Sequence, residues 1–118
     1  MDREKLPEKR AAYTKLLRES LERAVAVLSS LKEVERVSLV GSYACGRADL
    51  LTDLDLLVVM RTKRPFLERL RELYSLLALP VDLDLLCYTP EELDALKDRP
   101  FFKKLLQKEV VLYEKKPS

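Results

Sequence analysis

The chain has 118 residues, and only two are glycine where about eight would be usual; histidine, tryptophan and asparagine are absent. Without histidine there can be no Ser-His-Asp or Cys-His nucleophile and no zincin-type metal site. With 22 basic against 20 acidic residues the net charge is +2, which gives no strong pull toward nucleic acid.

In chain order, residues from about Pro7 to Ser29 carry Leu16, Leu17, Leu21, Ala24, Val25 and Leu28 at helical spacing, with Pro7 suited to a first turn. The β-branched run Val34 to Val40 reads as a strand that stops at Gly41. A loop from Tyr43 to Thr52 leads to a second strand, Asp53 to Met60. Alternation there sends Asp53, Asp55, Leu57 and Val59 to one face and Leu54, Leu56, Val58 and Met60 to the other. A helix from about Pro65 to Leu77 follows, with Phe66, Leu67, Leu70, Leu73, Leu76 and Leu77 expected on one side. Val81 to Tyr88 reads as a third strand with Asp82 and Asp84 in register. Thr89 is placed to cap a helix that has Pro90 at its first position and Glu91 and Glu92 in its first turn. A short helix near Phe101 to Leu106 and a last strand, Val110 to Tyr113, complete the chain. The order α-β-β-α-β-α-α-β predicts an α/β (α+β) single domain over 1–118, a small mixed sheet with helices packed on one face.

Chemistry concentrates where the first strand ends. Glycine at a strand end lets backbone N–H groups approach an anion, and Ser42 adds a hydroxyl. The spacing of Asp53 and Asp55 puts both carboxylates on one strand face, where mutual repulsion and desolvation favour a bound cation. A third aspartate from the neighbouring strand would complete a magnesium cluster. With no histidine available, bound metal is the means at hand for activating a hydroxyl.

These residues carry a resemblance. The stretch GSYACGRADLLTDLDLLVV resembles the signature of the DNA polymerase beta-like nucleotidyltransferases, Gly-Ser followed about ten residues later by Asp-x-Asp, and the small size is similar to their minimal nucleotidyltransferase branch. PVDLDLLCYTPEEL resembles the strand of the third aspartate and the helix after it, and FFKKLLQKEVVLYE the terminal helix and strand, so the likeness runs from about Leu31 to Glu114. The resemblance implies a polymerase beta palm-like fold. It implies a metal-dependent transfer of a nucleoside monophosphate, AMP from ATP, to an acceptor hydroxyl. It assigns Gly41 and Ser42 to the triphosphate, and Asp53, Asp55 and Asp84 to two Mg²⁺ ions and to catalysis. Asp84 is favoured over Asp82 by its spacing to the next helix, and both remain open. Thr52 takes the small hydroxyl position before the first aspartate, and Arg47, displaced from the arginine position of the family's Ala-Arg-Gly, is the arginine assigned to the nucleotide. The chain departs from the family pattern at Cys45, where relatives have the arginine of Ala-Arg-Gly, and at Lys108 and Glu109, where relatives often have glycine before the final strand. In the minimal branch the partner is a helical HEPN-domain toxin whose tyrosine is the acceptor, the transferase being the antitoxin.

Other features have plainer readings. The P-loop spacing of Gly41 and Gly46 fails because Arg47-Ala48 follow where Lys and Ser/Thr are required. Cys45 and Cys87, too few for a disulfide framework, read as reduced packed thiols. Tyr13, Tyr74, Tyr88 and Tyr113 read as core or rim residues, and Tyr43 as either structural or bordering the nucleotide. The charged N-terminus shows no secretory signal and no run reaches the ~20 apolar residues of a membrane helix, so a cytoplasmic location is expected. Many Glu, Lys and Arg with a single glutamine make a thermophile-like composition. Oligomeric state is open. The competing functional class is a nucleotide-binding interaction protein of the same fold without catalysis.

Overall fold

The computed structural model describes residues 6–116. Its elements are α1 (Leu6–Ser29), β1 (Val34–Val40), α2 (Gly41–Ala44), β2 (Leu54–Met60), α3 (Phe66–Leu76), β3 (Leu83–Tyr88), α4 (Pro90–Leu96), α5 (Pro100–Gln107) and β4 (Val110–Glu114). The four strands form one sheet in the order β3-β2-β1-β4. β1 runs antiparallel to β2 and β4, whereas β2 and β3 are parallel, as a connection through the crossover helix α3 requires.

The α/β fold, the mixed sheet and every element expected from the sequence are present. Three details differ. α2 was expected to be the strand end and the start of a loop; one short turn carries no apolar period and so leaves no signal. β2 and β3 start at Leu54 and Leu83, so Asp53 and Asp82 lie just outside the ladder, whose first partners are Leu54 and Leu83. Helices also lie on both faces rather than one.

The reason for the two-sided layering is in β2, which is apolar on both faces. Leu54, Leu56, Val58 and Met60 join the main core with Leu17, Ala24 and Leu28 of α1 and Leu73 of α3. On the other face Leu57 and Val59 pack with Val40 and Leu93, flanked by Phe102, Leu105 and Leu106 of α5. Burying Leu57, which is fully enclosed, contributes about 1.5–3 kcal/mol, so α4 and α5 have something to cover. A shift in register between Val34 and Arg36 turns β1 locally, so Val34 and Val37 both reach the main core despite their odd spacing.

α3 is less apolar than its sequence suggested. Leu73 and the following Leu77 are buried, but Leu67 and Leu76 face solvent, and Arg69 takes a buried place. The Arg69 guanidinium donates to Glu92 Oε1 and Oε2 at 2.6 and 3.3 Å, and its Nε donates to the Arg64 carbonyl at 2.7 Å. Glu92 also completes the capping box of α4: it accepts from the Thr89 N–H at 2.8 Å while its own N–H donates to Thr89 Oγ1 at 3.2 Å. One carboxylate therefore joins α3 to the N-terminus of α4, and these contacts hold it below the usual carboxylate range.

Candidate active site

The parallel pairing of β2 with β3 sets Asp55 opposite Asp84 in register, on the sheet face that carries Leu57 and Val59. Two carboxylates facing one another across adjacent strands cannot both ionise without cost. Burial, then the Asp84 charge and its hydrogen bond, then Asp53, push Asp55 up to about 6. Across β1 its partner is Val40, the last residue before Gly41.

Gly41 explains how the carboxylate is seated. Its φ is +74°, a left-handed conformation that a side chain disfavours, and a Cβ there would lie 2.2 Å from Asp55 Oδ2. The bare Cα is therefore space taken by the Asp55 carboxylate. Gly46 is different: φ is +91°, yet among the described residues a Cβ would meet nothing within 4 Å, so the turn alone accounts for this glycine. That turn is closed by Cys45 N–H and Arg47 N–H donating to the Ser42 carbonyl and Gly46 N–H donating to that of Tyr43.

Asp49 orders the loop before the acidic pair. Its Oδ1 accepts from the Leu51 N–H at 2.8 Å, its N–H donates to Thr52 Oγ1 at 2.9 Å, and the Thr52 hydroxyl returns to Oδ1 at 3.2 Å. Arg47 Nε donates to the other carboxylate oxygen at 2.9 Å. Arg47 and these neighbours hold Asp49 below its usual range. Thr52 is thus fully buried with its hydroxyl turned toward Asp49, and the exposed Arg47 is swung onto the same acid.

Asp53, half-buried, follows Thr52 directly and bears electrostatically on Asp55. Asp82 and Asp84 separate here. Asp84 pairs with Asp55, while the Asp82 carbonyl accepts the Leu54 N–H at 3.0 Å and its charge bears on Tyr13. Tyr13 donates its hydroxyl to the Thr52 carbonyl at 2.7 Å, and burial followed by the Asp53, Asp82 and Asp49 charges raises its pKa. Nothing in the sequence marked Tyr13, whereas Asp49 stands three residues before Thr52, a spacing typical of side-chain-closed turns. Tyr43 packs against the main core, and burial pushes the Cys87 thiol up to about 11, which removes it as a nucleophile.

Among the described residues no three histidine, cysteine or acidic side chains are gathered tightly enough to hold a metal ion unaided. The donors at the Asp55–Asp84 pair are hard carboxylate oxygens in a cradle left open by Gly41, and the raised Asp55 marks negative charge that a cation would relieve. That set fits magnesium, which keeps several waters and shares its shell with phosphate oxygens. A groove of about 720 Å³ opens at the far end of the same face, between Arg36, Val59, Leu93 and Glu109, and contains none of these residues.

No curated protein sequence matches the chain. By fold it is similar to a candidate nucleotidyltransferase from Sulfolobus solfataricus (TM-score 0.56, 21% identity, covering 93% of this chain and 87% of that one). It is likewise similar to a mutant of the toxin–antitoxin pair MntA-HpeT (TM-score 0.51, 17% identity, 84% and 73% covered). The model of the nucleotidyltransferase domain matches residues 21–79, half of the chain, spanning Gly41, Ser42, Asp53 and Asp55. With that match over this glycine and these carboxylates, the chain belongs to the nucleotidyltransferase domain family.

Proposed function

We propose that the protein is a metal-dependent nucleotidyltransferase that moves AMP from ATP onto an acceptor hydroxyl, the acceptor being a tyrosine of a HEPN-type toxin for which this chain is the antitoxin. The observation that carries the reading is the seat of Asp55: opposite Asp84, over the bare Cα of Gly41, with its pKa raised to about 6. The likeness to a toxin–antitoxin structure supports the choice of partner. Asp84 lies outside the residues matched by the family model, so its role rests on its register with Asp55.

Asp53, Asp55 and Asp84 would hold two magnesium ions, which supply charge neutralisation on the triphosphate and a fixed in-line geometry. The chain's own groups do the rest. Gly41 and Ser42 offer backbone N–H groups and a hydroxyl to the phosphates. The acceptor oxygen attacks the α-phosphorus, the bond from that phosphorus to the bridging oxygen breaks, and pyrophosphate leaves. The hydroxyl proton passes to Asp84, which is open to solvent. Thr52 keeps the loop in place, and the exposed Arg47 can leave Asp49 to meet a phosphate.

The test is to incubate the protein with Mg²⁺, ATP labelled on the α-phosphate and a HEPN-domain protein. Label on the HEPN tyrosine, lost in Asp55→Asn, is the expected result. No label from the native protein, or equal label from Asp55→Asn, refutes the reading. Tight ATP binding without pyrophosphate release would instead identify a non-catalytic nucleotide-binding partner.

A further inference from the structure

We infer that Tyr13 is a positioning residue for Asp53, acting from behind the sheet through the Thr52 carbonyl. The inference rests on the nucleotidyltransferase reading for its functional consequence.

Tyr13 lies in α1 in line with Leu17, Ala24 and Leu28, the stripe that the helix buries against the main core, and residues 7–12 before it are exposed. Its hydroxyl crosses to a residue 39 positions away and donates to the Thr52 carbonyl at 2.7 Å. The carbonyl of Thr52 and the N–H of Asp53 belong to one planar peptide unit, so holding the carbonyl fixes the plane from which the Asp53 backbone departs.

The rest of Thr52 is held as well. Its N–H donates to the Asp49 carbonyl at 3.1 Å, and its hydroxyl is engaged by Asp49 on both sides. On the other flank of Asp53, the Leu54 N–H donates to the Asp82 carbonyl at 3.0 Å. Asp53 is thus bracketed by two residues whose backbones are tied down, while it remains half-buried itself. A carboxylate meant to share an ion with a partner on β2 must be held to within about half an ångström, and a strand that begins one residue later does not do this alone. Tyr13 supplies the tie from the helical layer, and phenylalanine would fill the same space without it.

The test compares Tyr13→Phe with Leu21→Ala, a loss of packing on the same helix away from the loop. Mn²⁺ binding is measured by calorimetry, and AMP transfer from ATP to the HEPN-domain protein is followed at saturating metal. Tyr13→Phe should weaken Mn²⁺ binding about fivefold to tenfold while leaving the KM for ATP at saturating Mn²⁺ within twofold. Leu21→Ala should lower Tm at least as much and leave Mn²⁺ binding unchanged. In metal-free protein, hydrogen exchange at the Thr52 and Leu54 amides should quicken about tenfold in Tyr13→Phe alone. Wild-type Mn²⁺ affinity in Tyr13→Phe, or equal weakening in Leu21→Ala, overturns the inference. If the native protein binds no Mn²⁺, the nucleotidyltransferase reading fails by itself, and unchanged amide exchange in Tyr13→Phe would then overturn the backbone tie separately.

Discussion

Replacing Asp55 by asparagine should stabilise the metal-free protein while abolishing transfer. The folded chain raises this carboxyl from 3.8 to about 6, through burial first and the facing Asp84 second. Between those values the folded state holds a proton that the unfolded state releases, so stability is fully present below pH 4 and is lost as pH rises through 6. A shift of about two units corresponds to ~3 kcal/mol, and partial exposure to solvent roughly halves it, to about 1.5 kcal/mol. Asparagine keeps the size and can donate to Asp84 without ionising. In EDTA at pH 7.5, Asp55→Asn should therefore melt about 5 °C above the native protein. From the same two pKa values the advantage falls to about a third at pH 4.5. Adding Mg²⁺ at pH 7.5 should raise the melting point of the native protein and leave Asp55→Asn unmoved. A variant that is less stable at pH 7.5, or an advantage equal at both pH values, would refute the electrostatic reasoning.

Further outcomes follow from the same geometry. Gly41→Ala should cost about 1–2 kcal/mol in backbone strain and abolish Mg²⁺ stabilisation, because its Cβ occupies the seat of Asp55 Oδ2. Gly46→Ala should lose about 1 kcal/mol and retain metal binding, since only its φ is special; melting curves with and without Mg²⁺ distinguish the two. Glu92→Gln leaves the buried Arg69 guanidinium without its counter-charge. Because the carboxylate side is 41% exposed, the cost by urea denaturation should be about 2 kcal/mol rather than the ~3–5 of a fully buried pair. Arg47→Ala removes an exposed contact to Asp49, so the melting point should not move while the KM for ATP rises several-fold in a transfer assay.

How much was legible in the sequence depended on the range of the interactions. Thr89 declared the start of α4 because capping is local: the threonine, the proline and Glu92 stand within three residues of one another. β2 was legible from its apolar run, but not which helices would cover each of its faces. That was decided by α4 and α5, far along the chain, meeting Leu57 and Val59. α3 misled for a related reason. Its six apolar positions suggested one broad buried face, and the space was instead shared with Arg69, whose place depends on Glu92 across the fold. A leucine stripe records what a helix could bury, and the tertiary partners select from it.

The candidate site divides along the same line. Gly41, Ser42 and the Asp-x-Asp spacing could be read because a strand end, a turn and an alternation are all short-range patterns. Spacing to the next helix favoured Asp84 over Asp82 without deciding between them, since alternation places both on one face. Register between two parallel strands separates them, bringing Asp84 to Asp55 and leaving Asp82 to bind the Leu54 N–H through its carbonyl. Tyr13 lay further still from legibility, as a lone tyrosine on a buried helical stripe is ordinarily core. Its hydroxyl becomes informative only once α1 is docked, with the Thr52 carbonyl 2.7 Å away and Asp53 next in the chain. The candidate carboxylates could thus be picked out from local patterns, but the Tyr13 contact proposed to position Asp53 could not, because it joins residues 39 positions apart. Variants chosen from the motif alone would test the proposed chemistry; variants at Tyr13 would test how the fold holds Asp53 in place.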